Sequence, residues 1–374
     1  MKYGFPVEAG FVRQRTQFLQ AAEAAGATVT SHPHPLTGPA GEPLATDVAW
    51  LGPRDARRVL AVVSGTHGVE GYYGSTCQTE WLHELAGRAL PPDVAVLMVH
   101  LINPWGTAWV RRVNEDNVDL NRNYVDFAGA LPVNQGYEAI HEIYTCHDFD
   151  GPQRRHADER LDAHVRSLGW PGYLAWLEAG QYIHADGLFY GGQHATWSNR
   201  TLREIVAQYL QPAQVAIAFD LHTGAGPFGH PMLMAIAKSH YPALADADRL
   251  FGPWLHTLLT AQDAAVSDTG VAARATGYTS QAMLDALPDT HLMQLVIECG
   301  TFPQVPMHAA LRDDHWLHLH GDPRDALGRQ IKRALFDAFL PADPDWREIA
   351  WVRTRQVLDR ALSGLPEIRP IREG

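Results

Sequence analysis

The residues best suited to chemistry lie in the stretch Ser64–Gly71, where His67 and Glu70 are separated by two residues. The apolar, β-branched run Val59–Val63 leads into this stretch and predicts a buried strand that ends at small residues. An imidazole and a carboxylate just after a strand end can point into one cleft. With one further histidine they form the smallest protein ligand set for a catalytic zinc ion.

His222 is the candidate third ligand, because it follows a second predicted strand, Val215–Asp220. A His₂Glu set leaves a fourth coordination position for water, so we expect one zinc ion per chain, although other divalent ions suit the same ligands. Glu298 follows the apolar run Leu292–Ile297. Burial there would raise its pKa, which makes Glu298 the candidate general base.

A polar segment between these strands carries Arg111, Arg112, Asn121 and Arg122. Such a segment is often a solvated surface loop. However, two asparagines that flank an arginine directly after the alternating Val118–Leu120 favour a binding site. A planar guanidinium can hold a carboxylate through two hydrogen bonds.

The elements that must position these side chains alternate between strands and helices. Apolar runs predict further strands, and amphipathic runs predict a helix at 75–89 and a mostly helical segment at 241–262. Three early strands (27–31, 45–51 and 59–63) without intervening helices predict an antiparallel start to the sheet. We therefore predict an α/β fold with a mixed, mostly parallel twisted sheet and helices on both faces. It would form one domain (1–374) with an inserted cap-like region at about 125–200.

Composition and the first residues of the chain limit the partners and the location that we expect. The net charge of −12 provides no basic surface, which argues against nucleic acid or an anionic membrane as partner. Residues 1–8 lack the apolar segment of a signal peptide, and the three dispersed cysteines fit reduced thiols, so we expect a cytoplasmic protein. A homo-oligomeric state stays open.

Two other patterns carry less weight. The stretch Gly224–Gly229 matches a dinucleotide-binding glycine pattern, but Pro227 and the strand that follows leave no helix to receive a pyrophosphate. The histidines at 315, 318 and 320 are expected to lie on a packed or solvated face rather than at a second metal site.

The order of the motifs resembles the zinc carboxypeptidase A-like family and its relatives, the succinylglutamate desuccinylase and aspartoacylase enzymes. The matching segments are His67–Glu70, Asn103–Pro104, Val118–Asn123, Asp220–His222 and Ile297–Glu298. The glycine- and aromatic-rich run at 180–198 looks like a bacterial branch of that superfamily without an assigned function.

This resemblance implies a zinc carboxypeptidase-like fold and a role for each motif. It implies that zinc is held by His67, Glu70 and His222, and that Glu298 acts as general base and acid. It also implies that Asn121 and Arg122 bind a substrate carboxylate, while Arg111 or Arg112 polarises the scissile carbonyl. Tyr278 loosely matches a tyrosine that the family's peptidases carry in a loop.

The expected function is zinc-dependent hydrolysis of an amide in a small molecule or short peptide that has a free carboxylate. Two reactions stay open: removal of a C-terminal residue from a peptide, and deacylation of an N-acyl amino acid. The alternative from another class is a metal-free binding protein that retains the fold. Such a protein would be expected to lack a ligand or the base, and all four residues are present.

Overall fold

The computed structural model describes residues 10–261 and 275–371. Residues 1–8, on which the signal-peptide argument rests, and residue 262 of the predicted helical segment lie outside the described residues. Among the described helices, none combines the length and the apolar character that a membrane span requires.

A single eight-stranded sheet runs through the described residues. Its strands are β1 (Thr28–Thr37), β2 (Pro43–Leu51), β3 (Arg58–Ser64), β4 (Val94–His100), β5 (Val215–Gly224), β6 (Pro231–Ala237), β7 (Leu255–Leu259) and β8 (His291–Gly300). Their order is β1-β2-β4-β3-β5-β8-β6-β7. The central strands β4, β3, β5 and β8 are parallel, β2 is antiparallel to both β1 and β4, and β6 is antiparallel to β8. The prediction of a mixed, mostly parallel sheet that begins antiparallel is confirmed.

Helices cover both faces of the sheet, as predicted. The helices are α1 (Gly10–Ala24), α2 (Gly71–Leu85), α3 (Pro104–Ala108), α4 (Gln135–Tyr144), α5 (Pro152–Glu178), α6 (Trp197–Tyr209), α7 (Leu244–Phe251), α8 (Thr279–Ala286), α9 (Gln304–His320), α10 (Ala326–Phe339) and α11 (Pro344–Gly364). Successive side chains of a strand point to opposite faces. In β3, Leu60 and Val62 therefore pack with α1, α2 and α11, whereas Val59 and Ala61 pack with α6 and α8.

Two elements differ from the sequence-based prediction. The segment predicted as mostly helical over 241–262 contains only the short α7, because Gly252 (φ 61°) and Pro253 end it. The chain then forms β7, which pairs in parallel with β6. Helix α9 has no counterpart among the predicted elements, because its mixture of histidines, charges and apolar residues shows little amphipathic periodicity.

Helices α4 and α5 build a separate apolar cluster within the region 125–200. Tyr137 and Ile140 of α4 pack with Tyr173 and Leu177 of α5. Gly169 (φ 69°) interrupts the helical geometry of α5 two residues before Pro171, so α5 bends there. Beyond the bend, Leu174 and Leu177 line the same cavity as residues from β5 and β8.

The sheet order brings the predicted site segments together. Strands β3, β5 and β8 are adjacent and parallel, so their carboxyl ends lie at one edge of the sheet. Ser64 at the end of β3 is opposite Leu221, and His222 is opposite Glu298. This edge is where ligands bind in open α/β sheets.

Candidate metal centre

A tight turn holds the ligand segment between β3 and α2. The backbone N–H of Gly68 donates to the carbonyl of Arg112 (3.0 Å), and that of Val69 donates to the carbonyl of Arg111 (2.8 Å). A Cβ at Gly68 would lie 2.1 Å from the carbonyl carbon of Gly106, so only glycine allows this approach. Glu70 occupies the N-cap position of α2, directly after this turn, and its side chain makes no capping hydrogen bond to the helix.

Three buried side chains converge at this turn. The Nδ1 atom of His67 lies 2.9 Å from Oε1 of Glu70, and the Nδ1 atom of His222 lies 3.0 Å from its Oε2. The two Nδ1 atoms are 3.2 Å apart. These separations match a set of ligands around one ion, and His67, Glu70 and His222 form a group able to hold a metal.

Each imidazole is held on its far side by a second carboxylate. Nε2 of His67 lies 3.2 Å from Asp119, and Nε2 of His222 lies 3.0 Å from Asp220. Thr66 donates in turn to Asp220 (2.9 Å). An Nε2–H that points at a carboxylate leaves the Nδ1 lone pair directed at the centre, which is how metal-binding histidines are commonly oriented. The donor set therefore fits a cation between the two Nδ1 atoms and Glu70.

The pKa shifts at this centre indicate that nearby positive charge does not fully balance its carboxylates. Burial alone would raise the pKa of Glu70, but His67 and His222 hold it below its usual range. Burial alone would lower the pKa of His222, but Asp220 and Glu70 raise it well above its usual value. Burial alone would also raise the pKa of Asp119, yet Arg112 and His67 keep it far below its usual range.

Glu298 lies in the cavity beside this centre. Its Oε1 atom accepts a hydrogen bond from the backbone N–H of Ala225 (2.9 Å). Burial raises the pKa of Glu298 to about 7, and the neighbouring Glu70 adds to this shift. A carboxyl group with such a pKa can both take up and release a proton near neutral pH.

The structure separates the two candidate arginines. Arg112 lines the cavity, where its Nε donates to Asp119 (3.0 Å) and its Nη1 to Glu70 (3.3 Å). Arg111 turns away from the cavity, and its guanidinium donates to Asp314 (3.4 Å) and Asn117 (3.2 Å). Of the two, Arg112 contacts the metal ligand Glu70, and Arg111 does not line this cavity; a substrate contact by Arg111 stays a prediction.

Arg122 is fixed on the cavity wall between two aromatic rings. Its guanidinium carbon lies 5.2 Å from the ring centre of Tyr278 and 5.7 Å from that of Phe189. Its Nε and Nη2 donate to the backbone carbonyl of Glu178, and its Nη1 donates to that of Asn121. The side-chain oxygen of Asn121 accepts from Thr279 at the start of α8. Arg122, Asn121 and Tyr278 thus all lie at the predicted site.

The metal group and these residues share one cavity of about 120 Å³. Glu178 and Phe189, which no motif indicated, also line it. Burial raises the pKa of Glu178 to about 7, against the opposing effect of Arg112 and Arg122. Asp119 and Asp220 were likewise not predicted as site residues. A sequence signal existed for Asp220, since residues two apart on a strand point to the same face.

Fold and site together define an α/β protein with a candidate His-Glu-His metal centre at the carboxyl edge of its sheet. Residues 8–353 match the family model described as "Protein of unknown function (DUF2817)", and the chain belongs to that family. None of the curated proteins matches the chain.

Several solved structures are similar to the chain over most of their length. They include a carboxypeptidase A from Helicoverpa armigera, with 12% identity, TM-score 0.43, and 91% of this chain and 71% of that one covered. Bovine thrombin-activatable fibrinolysis inhibitor shows 10% identity, TM-score 0.47, and coverage of 96% and 97%. The succinylglutamate desuccinylase of Chromobacterium violaceum shows 15% identity, TM-score 0.38, and coverage of 87% and 74%.

Proposed function

We propose that this protein is a zinc-dependent hydrolase that cleaves an amide bond in a small substrate with a free carboxylate. The observation that supports this most strongly is the convergence of His67, His222 and Glu70 within 3.2 Å of one another, with Glu298 in the same cavity. A buried carboxyl group beside a three-ligand centre is the arrangement that metal-assisted hydrolysis needs.

Each residue has a role in this proposal. A zinc ion held by His67, Glu70 and His222 would supply a water of lowered pKa and would polarise the substrate carbonyl. Glu298 accepts a proton during attack on the carbonyl carbon and returns it to the leaving nitrogen, since its pKa of about 7 suits both transfers. The guanidinium of Arg112 stabilises the negative charge that develops on the carbonyl oxygen.

Arg122 and Asn121 bind the substrate carboxylate. A guanidinium has five N–H donors, and three of those on Arg122 bond to carbonyls of the described residues, which leaves two for a ligand. The rings of Tyr278 and Phe189 hold the guanidinium in place before substrate arrives. Such preorganisation lowers the entropic cost of binding.

The dimensions of the cavity support a small substrate. Apolar side chains from the region 125–200, among them Leu174, Leu177 and Phe189, form part of the wall. We propose that this region acts as a cap that excludes water and limits substrate length. An N-acyl amino acid or a dipeptide fits these limits better than a long peptide.

A substrate panel tests the proposal. Zinc-loaded protein is assayed with N-acyl amino acids and dipeptides, each offered with a free carboxylate and with that carboxylate converted to an amide. We expect hydrolysis of the free acids and a kcat/KM that is tenfold or more lower for the substrates whose carboxylate is converted to an amide. The Glu298→Gln variant should lose nearly all activity. If the protein takes up no zinc but still binds these ligands without turnover, the metal-free binding role is supported instead.

A further inference from the structure

Part of the cavity surface beside Glu298 is apolar. A Cβ at Gly224 of β5 would lie 3.3 Å from Cε1 of Phe339 and 3.4 Å from Cε of Met307. The same position is 3.5 Å from Oε1 of Glu298. Leu311 of α9 packs against the cluster that contains Phe339, and it lines the cavity as well. We call Met307, Leu311 and Phe339 the apolar wall, and this wall directly adjoins the candidate general base.

The apolar wall is anchored beside the metal ligands. Phe339 of α10 belongs to the same apolar cluster as Val69, the residue that precedes the ligand Glu70. The hydroxyl of Thr301 donates to the sulfur of Met307 (3.0 Å). These contacts hold the wall in place next to the metal centre without any contribution from a ligand. Small-molecule sites commonly combine such an apolar surface with a few polar groups that fix the orientation of the ligand.

The histidine next to the apolar wall adds no positive charge. His308 lines the cavity, and its Nε2 atom lies 2.7 Å from the hydroxyl oxygen of Tyr144, which is 2.6 Å from that of Tyr173. Burial lowers the pKa of His308 to about 3, and the nearby charge of Arg312 adds to this effect. The imidazole is therefore neutral at physiological pH.

The cavity offers no spare cation for a second carboxylate on the substrate. Among the described residues that line it, the permanent cations are Arg112 and Arg122. Arg112 already donates to two carboxylates of the metal centre, and Arg122 is the proposed partner of the substrate carboxylate. Glu178 and Glu298 line the same cavity and would repel a further anion. Burial of a charge without a partner is costly.

The carboxylate-binding side of the cavity has a different apolar surface. The guanidinium of Arg122 packs on the ring of Tyr278, which belongs to a cluster with Met234 and Val296 and not to the cluster of Phe339. In an N-acyl amino acid the carboxylate and the acyl chain lie on opposite sides of the scissile bond. With the carboxylate at Arg122, the apolar wall is left for the acyl chain.

We propose that the substrate is an N-acyl amino acid whose acyl chain is apolar, uncharged and several carbons long, and that this chain lies against Met307, Leu311 and Phe339. The inference rests on the proposed function, in which Glu298 acts at the scissile carbonyl and Arg122 binds the carboxylate. An acyl chain that ends in a carboxylate is rejected, because it would lie between apolar and anionic groups. Specificity then comes from the missing partner for the wrong ligand as well as from contacts with the right one.

Matched N-acyl alanines test this proposal. N-hexanoylalanine and N-adipoylalanine have acyl chains of equal length, and the terminal methyl of the first is a carboxylate in the second. N-acetylalanine is the short reference compound. Each is offered to the zinc-loaded wild type, and kcat/KM is measured for compounds that are hydrolysed. For compounds that bind without turnover, the Kd is measured by calorimetry.

We expect the wild type to prefer the hexanoyl over the adipoyl compound by about 100-fold or more. Each methylene between acetyl and hexanoyl should add about two- to fourfold. The proposal is overturned if the hexanoyl compound is preferred less than tenfold over the adipoyl compound, or if neither is bound. Preference for the hexanoyl compound in binding without turnover would uphold the proposal and contradict the hydrolytic function. Hydrolysis with preference for the adipoyl compound would do the reverse.

Two lysine variants of α9 locate the acyl chain. Leu311→Lys places an ammonium group in the apolar wall, where it can pair with the adipoyl carboxylate. Val305→Lys is the matched control, because it adds the same charge to the same helix at a residue that is 59% exposed and does not line the cavity. We expect the adipoyl-to-hexanoyl ratio to rise tenfold or more in Leu311→Lys and to stay at the wild-type value in Val305→Lys. Equal ratios in the two variants would overturn the assignment of the wall, and the wild-type comparison does not depend on whether either variant folds.

Discussion

Replacing the two neighbouring arginines one at a time gives the sharpest test of how the cavity works. Arg112→Lys changes the residue that donates to both Asp119 and Glu70. Arg111→Lys changes the neighbouring residue, which is more deeply buried and pairs with Asp314 outside the cavity. A lysine ammonium is a compact charge on a flexible stem and cannot reproduce the planar, forked geometry of either arginine.

The two variants should differ in activity far more than in stability. Loss of one well-placed donor to a developing oxyanion costs about 100- to 1000-fold in kcat, or about 3 to 4 kcal/mol. We expect a decrease of this size for Arg112→Lys and a change of less than about threefold for Arg111→Lys. Both variants weaken a buried ion pair, and loss of a buried partner costs up to about 3 to 5 kcal/mol. Both should therefore unfold at lower denaturant concentration.

The assay is kcat/KM on the best substrate from the panel, with zinc content and urea unfolding measured on the same preparations. Equal loss of activity in the two variants would refute the assignment of Arg112, because it would show that the effect comes from weakened packing. Full activity in Arg112→Lys would refute it as well.

Three further outcomes follow from the site and the core. Glu298→Gln should lower kcat by about 100- to 10,000-fold while zinc content stays unchanged; a parallel loss of zinc would contradict a role in proton transfer. Gly68→Ala should destabilise the protein by about 3 kcal/mol in urea unfolding because the new Cβ meets the backbone at Gly106, whereas Gly129→Ala, whose nearest neighbour atom is 3.4 Å away, should change stability little. His100 is buried and its pKa is lowered to about 3. In the unfolded chain His100 binds a proton near pH 6.5, whereas in the folded chain it stays neutral. This difference lowers the free energy of unfolding by about 1.4 kcal/mol per pH unit as the pH falls below 6.5. Urea unfolding at several pH values should show a shallower slope in His100→Gln, and an identical slope would contradict the assignment.

Much of the fold and of the metal centre could be predicted from the sequence, because the patterns that indicate them lie within short segments of the chain. Apolar strands that end in small or polar residues indicate the edge of the sheet. His67 follows such a strand, and His222 and Glu298 lie in the last residues of theirs. The alternation of strands and helices then places the parallel strands side by side. The strand ends are therefore enough to predict His67 and His222 as ligands.

Other features depend on contacts that sequence spacing does not report. Arg111 and Arg112 are adjacent and chemically identical, and they differ only in their tertiary partners: Arg111 pairs with Asp314, whereas Arg112 pairs with residues of the metal centre. Glu178 lines the cavity from the end of α5, beyond the bend at Gly169, and no sequence pattern indicates this position. Strand β7 looks helical in isolation and becomes a strand through pairing with β6.

The most direct test of the central claim is a crystal of zinc-loaded protein measured at the zinc absorption edge. We expect an anomalous peak between Nδ1 of His67, Nδ1 of His222 and the carboxylate of Glu70, at bonding distances of about 2.0 to 2.2 Å. If crystals soaked in zinc show no peak among these three residues, the metal centre and the proposed hydrolytic function are both contradicted.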